Sequence, residues 1–119
     1  MDSDNYSLTT LEIATRTLNS GRLLVAVAGE LDLASARALS DTLTPELAAG
    51  KRVLLDLSGV TFIDSTGLAA IINAVNGADG ANGSGPRLEL SANLRPQARR
   101  LMELTGVLSM LPLVDGDSR

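Results

Sequence analysis

A chain of 119 residues and 12.3 kDa has room for a single hydrophobic core. It contains no cysteine and no histidine, which removes disulfides, thiolate zinc clusters, cysteine nucleophiles and histidine general bases together. A formal charge of −4, one Tyr, one Phe and no Trp remove the basic stripe and stacking rings on which nucleic-acid binding usually rests. Neither an enzyme nor a nucleic-acid partner is expected, and no residue cluster suggests a cofactor or a metal. Residues 1–10 are polar and acidic, unlike an export signal. The apolar run Leu23–Ala28 falls far short of the roughly 20 residues that span a membrane. A cytoplasmic protein with no membrane partner is the expectation.

Along the chain, Leu8–Thr17 carries Leu11 and Ile13 two apart, as in an edge strand, and Asn19-Ser20-Gly21 is a turn signal before a second strand over Arg22–Gly29. The pair predicts an antiparallel hairpin. Leu33, Ala36, Leu39, Leu43 and Leu47 then recur at three and four, the stripe of an amphipathic helix over Leu33–Ala49. Asp32 is placed to cap it and Gly50 to stop it, while Pro45 predicts a kink or a restart with Thr44 capping the last turn. Val53–Leu57 is an apolar run of strand length, buried on both faces. A second helix is predicted from about Thr66, with Leu68, Ile71, Ile72 and Val75 on one side, running into a glycine-rich mobile loop over Asn76–Pro86. Arg87–Ser91 alternates as a strand; Pro96 opens a third helix with Ala98, Leu101 and Leu104 facing inward, closed by Gly106. Val107–Val114 reads as a last short strand interrupted by Pro112. The order β-β-α-β-α-β-α-β predicts a single α/β domain over residues 8–114, a mixed sheet packed with amphipathic helices through right-handed crossovers. Residues 1–7 and 115–119 are expected to be flexible termini.

Chemistry concentrates where strands pass into helices, the end of an open α/β sheet where ligands and partners bind. Asp56, late in an apolar strand, has the position of a phosphoacceptor aspartate, but the chemistry needs a lysine at the end of a late strand, and the single lysine, Lys51, precedes this one. Asp56 is better read as a polar residue accepting backbone hydrogen bonds. Gly29-Glu30-Leu31-Asp32 forms a strand-to-helix turn in which Asp32 caps the helix and stands on the same rim as a second segment, Phe62-Ile63-Asp64-Ser65-Thr66-Gly67-Leu68. Asp64, Ser65 and Thr66 are all cap-type residues, so a well-capped helix accounts for most of this segment. Gly67 exceeds that account: glycine costs about 1 kcal/mol in a helix interior and makes sense where another backbone or a phosphate comes close. Ser65 has no general base and no G-x-S-x-G elbow, so it is no hydrolase nucleophile. A serine hydroxyl at a helix N-terminus can instead accept a phosphoryl group, which the backbone N–H groups and the dipole tolerate.

Taken together, Gly29-Glu30-Leu31-Asp32, Val53–Leu57 with Ser58-Gly59-Val60, Asp64-Ser65-Thr66-Gly67-Leu68 and the late segment Asn93–Leu113 resemble the STAS-domain anti-sigma factor antagonists over about residues 8–114. The resemblance implies a bacterial stress-response regulator in which Ser65 is the phosphorylation site and Asp32 helps recognise a serine-kinase anti-sigma factor. It implies that Glu30, Asp64, Thr66 and Gly67 belong to the same partner surface. The unphosphorylated protein would bind the kinase and free its sigma factor; phosphorylation would end binding, and a metal-dependent serine phosphatase would restore it. The chain departs from the family in its glycine-rich Asn76–Pro86 and in a C-terminal helix absent or shortened to Asp115–Arg119. An alternative within the same fold is an accessory subunit of a transporter or larger signalling assembly, in which Ser65 is only a helix cap.

Overall fold

The computed structural model describes residues 11–78 and 87–114. Alternating apolar side chains start the sheet: β1 (Leu11–Thr17) and β2 (Leu23–Leu31) pair antiparallel from Leu11↔Gly29 to Thr17↔Leu23. Between them the Leu18 N–H donates to the Arg22 carbonyl (2.8 Å) and the Gly21 N–H to the Leu18 carbonyl (2.9 Å), closing the expected turn. α1 (Ala36–Ala48) leads to β3 (Val53–Ile63), α2 (Ser65–Gly77) to β4 (Leu88–Ser91), and α3 (Pro96–Leu104) with a 3-10 turn at Leu108–Met110 to β5 (Leu113–Val114). The sheet order is β1-β2-β3-β4-β5, antiparallel at its first pair and parallel at the other three. The mixed α/β sheet expected from the sequence is the one observed.

Each parallel crossover moves one place in the same direction, so right-handed connections put all three helices on one face. The core follows that geometry. Val25, Val27, Leu55, Leu57, Leu88 and Leu90 meet Leu39, Leu43 and Leu47 of α1, Leu68 and Ile71 of α2, and Ala98 and Met102 of α3 in one cluster. Fully burying a leucine such as Leu39 or Leu55 stabilises the fold by about 1.5–3 kcal/mol. The alternate residues Leu24 and Leu54 point to the other face, where they form a small cluster with Leu18, with Val114 against it.

β3 is longer than the apolar run that announced it. Ala26 pairs with Asp56 but Ala28 with Gly59, and Gly29 pairs with Val60 but Glu30 with Phe62, so β3 carries an extra residue at each shift. An inserted residue reverses which face the following side chains occupy. The inward positions therefore fall at Val53, Leu55 and Leu57 and then, three apart, at Val60 and Ile63, all 1% exposed or less. The bulges break the two-residue period after Leu57, which is why the sequence read as a short strand and a loop.

Other boundaries also move. α1 begins at Ala36 rather than Leu33, and Leu33 is not in the core; Ala36, Leu39, Leu43 and Leu47 are buried as expected. No restart occurs at Pro45, which lies inside one continuous helix. The carbonyl it leaves unpaired belongs to Asp41, an exposed residue that water can reach. α3 buries Ala98 and Met102, four apart, so Leu101 is half-buried and Leu104 faces outward. The predicted last strand is a 3-10 turn followed by only Leu113 and Val114; Pro112 contributes as an acceptor, its carbonyl taking the Leu90 N–H at 2.9 Å. Asn76 and Gly77, expected in the loop, end α2, and Ala78 is buried. The rest of the predicted loop, 79–86, lies outside the described residues, as do 1–10 and 115–119.

Candidate functional site

Leu31 and Ile63 are the last paired residues of β2 and β3. Asp32 and Asp64 therefore leave the sheet side by side, at the carboxyl ends of two parallel strands. The Asp64 N–H donates to the Leu31 carbonyl (3.2 Å), tying the two exits together. With an extended backbone at the helix start, Asp64 accepts the Gly67 N–H on Oδ1 at 2.8 Å and so caps α2. Ser65 is thus not the cap but the first helical residue. Its side chain is exposed, its hydroxyl has no partner among the described residues, and Thr66 beside it is half-buried.

Asp32 organises the other half of the rim. Its Oδ1 accepts the Ala34 N–H (3.1 Å) and the Ser35 N–H (3.2 Å), so it caps a turn ahead of α1 rather than the helix itself. Ser35, 1% exposed, takes the Asp32 N–H on its hydroxyl (3.0 Å) and donates its proton to the Glu30 carbonyl (2.7 Å). Glu30-Leu31-Asp32 is held from within by a serine that sequence reasoning passed over. Asp32 and Asp64 are half-buried and Glu30 is exposed at this end of β2 and β3.

Gly67 has a definite reason. A Cβ at that position would collide with the Leu31 carbonyl oxygen and lie 2.8 Å from Leu31 Cγ. The close approach anticipated from the sequence is made by the backbone of β2, and it presses the start of α2 onto the end of that strand.

A second set of contacts was not foreseen. β4 pairs with β3 only from Val53 to Leu55, which leaves the far end of β3 without a strand on that side. Side chains of α3 and its leading residue take over. Gln97 accepts the Ile63 N–H on Oε1 (2.8 Å) and donates from Nε2 to the Ile63 carbonyl (3.0 Å), and Arg95 Nε donates to the Ser58 carbonyl (3.0 Å). The residue before Asp64 is therefore clamped from both sides, by β2 and by Gln97.

Exposed apolar side chains complete the rim: Phe62, one residue before Ile63 and 42% exposed, and Leu33, one residue after Asp32 and 75% exposed. At the opposite end of the strands Arg22 meets Glu89 (3.3 Å) and Lys51 meets Glu46 (2.7 Å), while Arg37 lies in the first turn of α1 and Arg95 at the start of α3. Asp56 lies within β3, away from the rim, and accepts the Ser58 N–H at 2.9 Å, the structural role expected of it. Among the described residues no group of three acidic side chains is arranged to hold a metal ion, and no helix is long and apolar enough to cross a membrane.

Comparison with known proteins puts this arrangement in context. Residues 14–114 match the family described as Mlab, STAS domain. The anti-sigma-B factor antagonist of Bacillus subtilis (strain 168) is 30% identical over 95 residues, spanning 80% of this chain and 84% of that protein. A crystal structure of an anti-sigma factor antagonist from Mycobacterium paratuberculosis superposes with a TM-score of 0.72 at 27% identity, covering 87% of this chain and 84% of that one. The Bacillus cell fate determinant SpoIIAA in its phosphorylated form shares the fold, with a TM-score of 0.65 at 15% identity over 89% of this chain and 92% of that one.

Proposed function

The chain belongs to the STAS-domain family, and from that premise we propose that it is an anti-sigma factor antagonist whose binding is switched at Ser65. In its unmodified form it binds a serine-kinase anti-sigma factor through the rim of Glu30, Asp32, Asp64, Ser65, Thr66 and Gly67 and so frees the sigma factor. The kinase transfers the γ-phosphoryl group of ATP to Ser65 Oγ, which ends binding, and a metal-dependent serine phosphatase removes it. The observation that carries this proposal is the exposed hydroxyl of Ser65 at the first position of α2, without a partner among the described residues, with Asp64 doing the capping. That Asp64 rather than Ser65 caps α2 supports this reading over the accessory-subunit alternative.

The energetics favour a switch that leaves the fold intact. A phosphate at the start of α2 gains about 0.3–1 kcal/mol from the helix dipole, and repulsion from Asp64 and Asp32 offsets part of that. At an interface the added charge of about −1.5 to −2 must be desolvated, and against an apolar surface that costs several kcal/mol. A hundredfold loss of affinity needs only about 2.7 kcal/mol.

Intact-mass analysis after incubation with the kinase and ATP should show one phosphate, mapping to Ser65. Titration of variants against the kinase should find Ser65→Ala binding without being switched off, and Ser65→Glu binding at least tenfold more weakly with an unchanged melting curve. Asp32→Asn, which keeps an acceptor for the Ser35 N–H, should weaken binding. Phosphate mapping to Thr66, or full affinity after complete phosphorylation, would contradict the switch.

A further inference from the structure

The rim is acidic, and that raises a question of sign. A partner that met Glu30, Asp32 and Asp64 with cations alone would be held more tightly by a dianion on Ser65, not released. Release needs a contact that a phosphate spoils, and two exposed apolar side chains at the strand ends that carry Asp32 and Asp64 supply one. Leu33 lies in the turn before α1, outside the helix and outside the core. Phe62, the single phenylalanine of the chain, sits at the end of β3 opposite Glu30 and is likewise exposed. Neither is required by the monomer: a polar residue serves as well at an exposed turn position, and a threonine at an exposed strand position.

We infer that Leu33 and Phe62 are the apolar anchors by which the rim docks on its partner, an inference that rests on the function proposed above. Binding energy in protein interfaces concentrates in a few desolvated apolar or aromatic side chains ringed by polar ones. Here the ring is Asp32 and Asp64, so the complementary surface of the kinase is an apolar recess flanked by Arg or Lys. Ser65 stands at the edge of that contact. A phosphate there keeps water in the recess and strips the anchors of their burial, so the charge acts through the apolar contact and opposes the attraction of the flanking cations.

The test uses the full chain and a serine-kinase anti-sigma factor that phosphorylates it. Leu33→Ser and Phe62→Thr should each weaken binding about tenfold or more, raise KM for phosphorylation of Ser65 and leave kcat within about twofold. Leu104→Ser is the control: that leucine is 72% exposed but lies at the end of α3 opposite Gln97, and its removal should change nothing. Raising the salt should shrink the loss caused by Asp32→Asn, which is screened, while the loss caused by Leu33→Ser persists. Melting curves matching the wild type establish that the variants are folded, and Leu33→Ser, at a turn position, decides the matter if Phe62→Thr is unstable. Wild-type affinity for Leu33→Ser, or an equal loss for Leu104→Ser, would overturn the anchors while leaving the Ser65 switch in place. Failure of the wild-type chain to bind or be phosphorylated by any such kinase would overturn the function and the anchors together.

Discussion

In an exposed helix, replacing glycine by alanine stabilises by roughly 0.5–1 kcal/mol. At Gly67 the sign reverses, because the added Cβ runs into the Leu31 carbonyl oxygen, a backbone atom that also accepts the Asp64 N–H. Gly67→Ala should therefore destabilise the domain by about 1–3 kcal/mol, the usual cost of overpacking, and calorimetry should register a lower Tm. A Tm at or above the wild-type value would mean that α2 does not press on β2 as described. At this scale the sequence was informative where chemistry is local: Asp64 is a cap-type residue ahead of a helix, and a glycine in a first turn asks for a close neighbour. It was silent where the partner is distant in the chain. Nothing about Gln97 announces that it will hold Ile63, 34 positions away, and Ser35 looks like any turn serine until its hydroxyl is seen under Glu30. Leu33 and Leu104 were misread for another reason: a stripe of leucines continues on paper past the point where the helix begins or turns its face away.

Among the elements, β3 is the one on which the site depends. Its first half is held by strands on both sides; its second half has β2 on one side and, on the other, side chains of Gln97 and Arg95. Gln97→Ala removes both partners of the Ile63 peptide groups on that side, and a buried N–H left unsatisfied costs about 1–3 kcal/mol. Amide exchange should then accelerate at Ile63 by about tenfold or more while Val53–Leu55 stays protected, as NMR-detected exchange would resolve. Unchanged exchange at Ile63 would show that the clamp carries no energy. The order of the elements was legible because each has its own period. The extent of β3 was not, because its two bulges interrupt that period, and a bulge is a property of the pairing rather than of one strand read alone.

For the molecule as a whole, the governing fact is that the three helices of the described residues lie on one side of the sheet. A side chain lost from that layer has no second layer behind it to move in. Met102, fully buried between α3 and the sheet, should cost about 2–5 kcal/mol when changed to alanine, a large fraction of the roughly 5–15 kcal/mol by which domains of this kind are stable. Urea titration should show a lower midpoint with the slope unchanged. The clamped Ile63 has a consequence of its own at this scale. On the function proposed, the acceptor serine is presented by two fixed strand ends and a helix start rather than by a pliable segment, and a helix of about a dozen residues is marginal once cut from its protein. A synthetic peptide covering residues 60–72 should therefore be a poor kinase substrate beside the intact domain. Modification would then be confined to chains that have already folded, and a nascent or damaged copy would never enter the cycle.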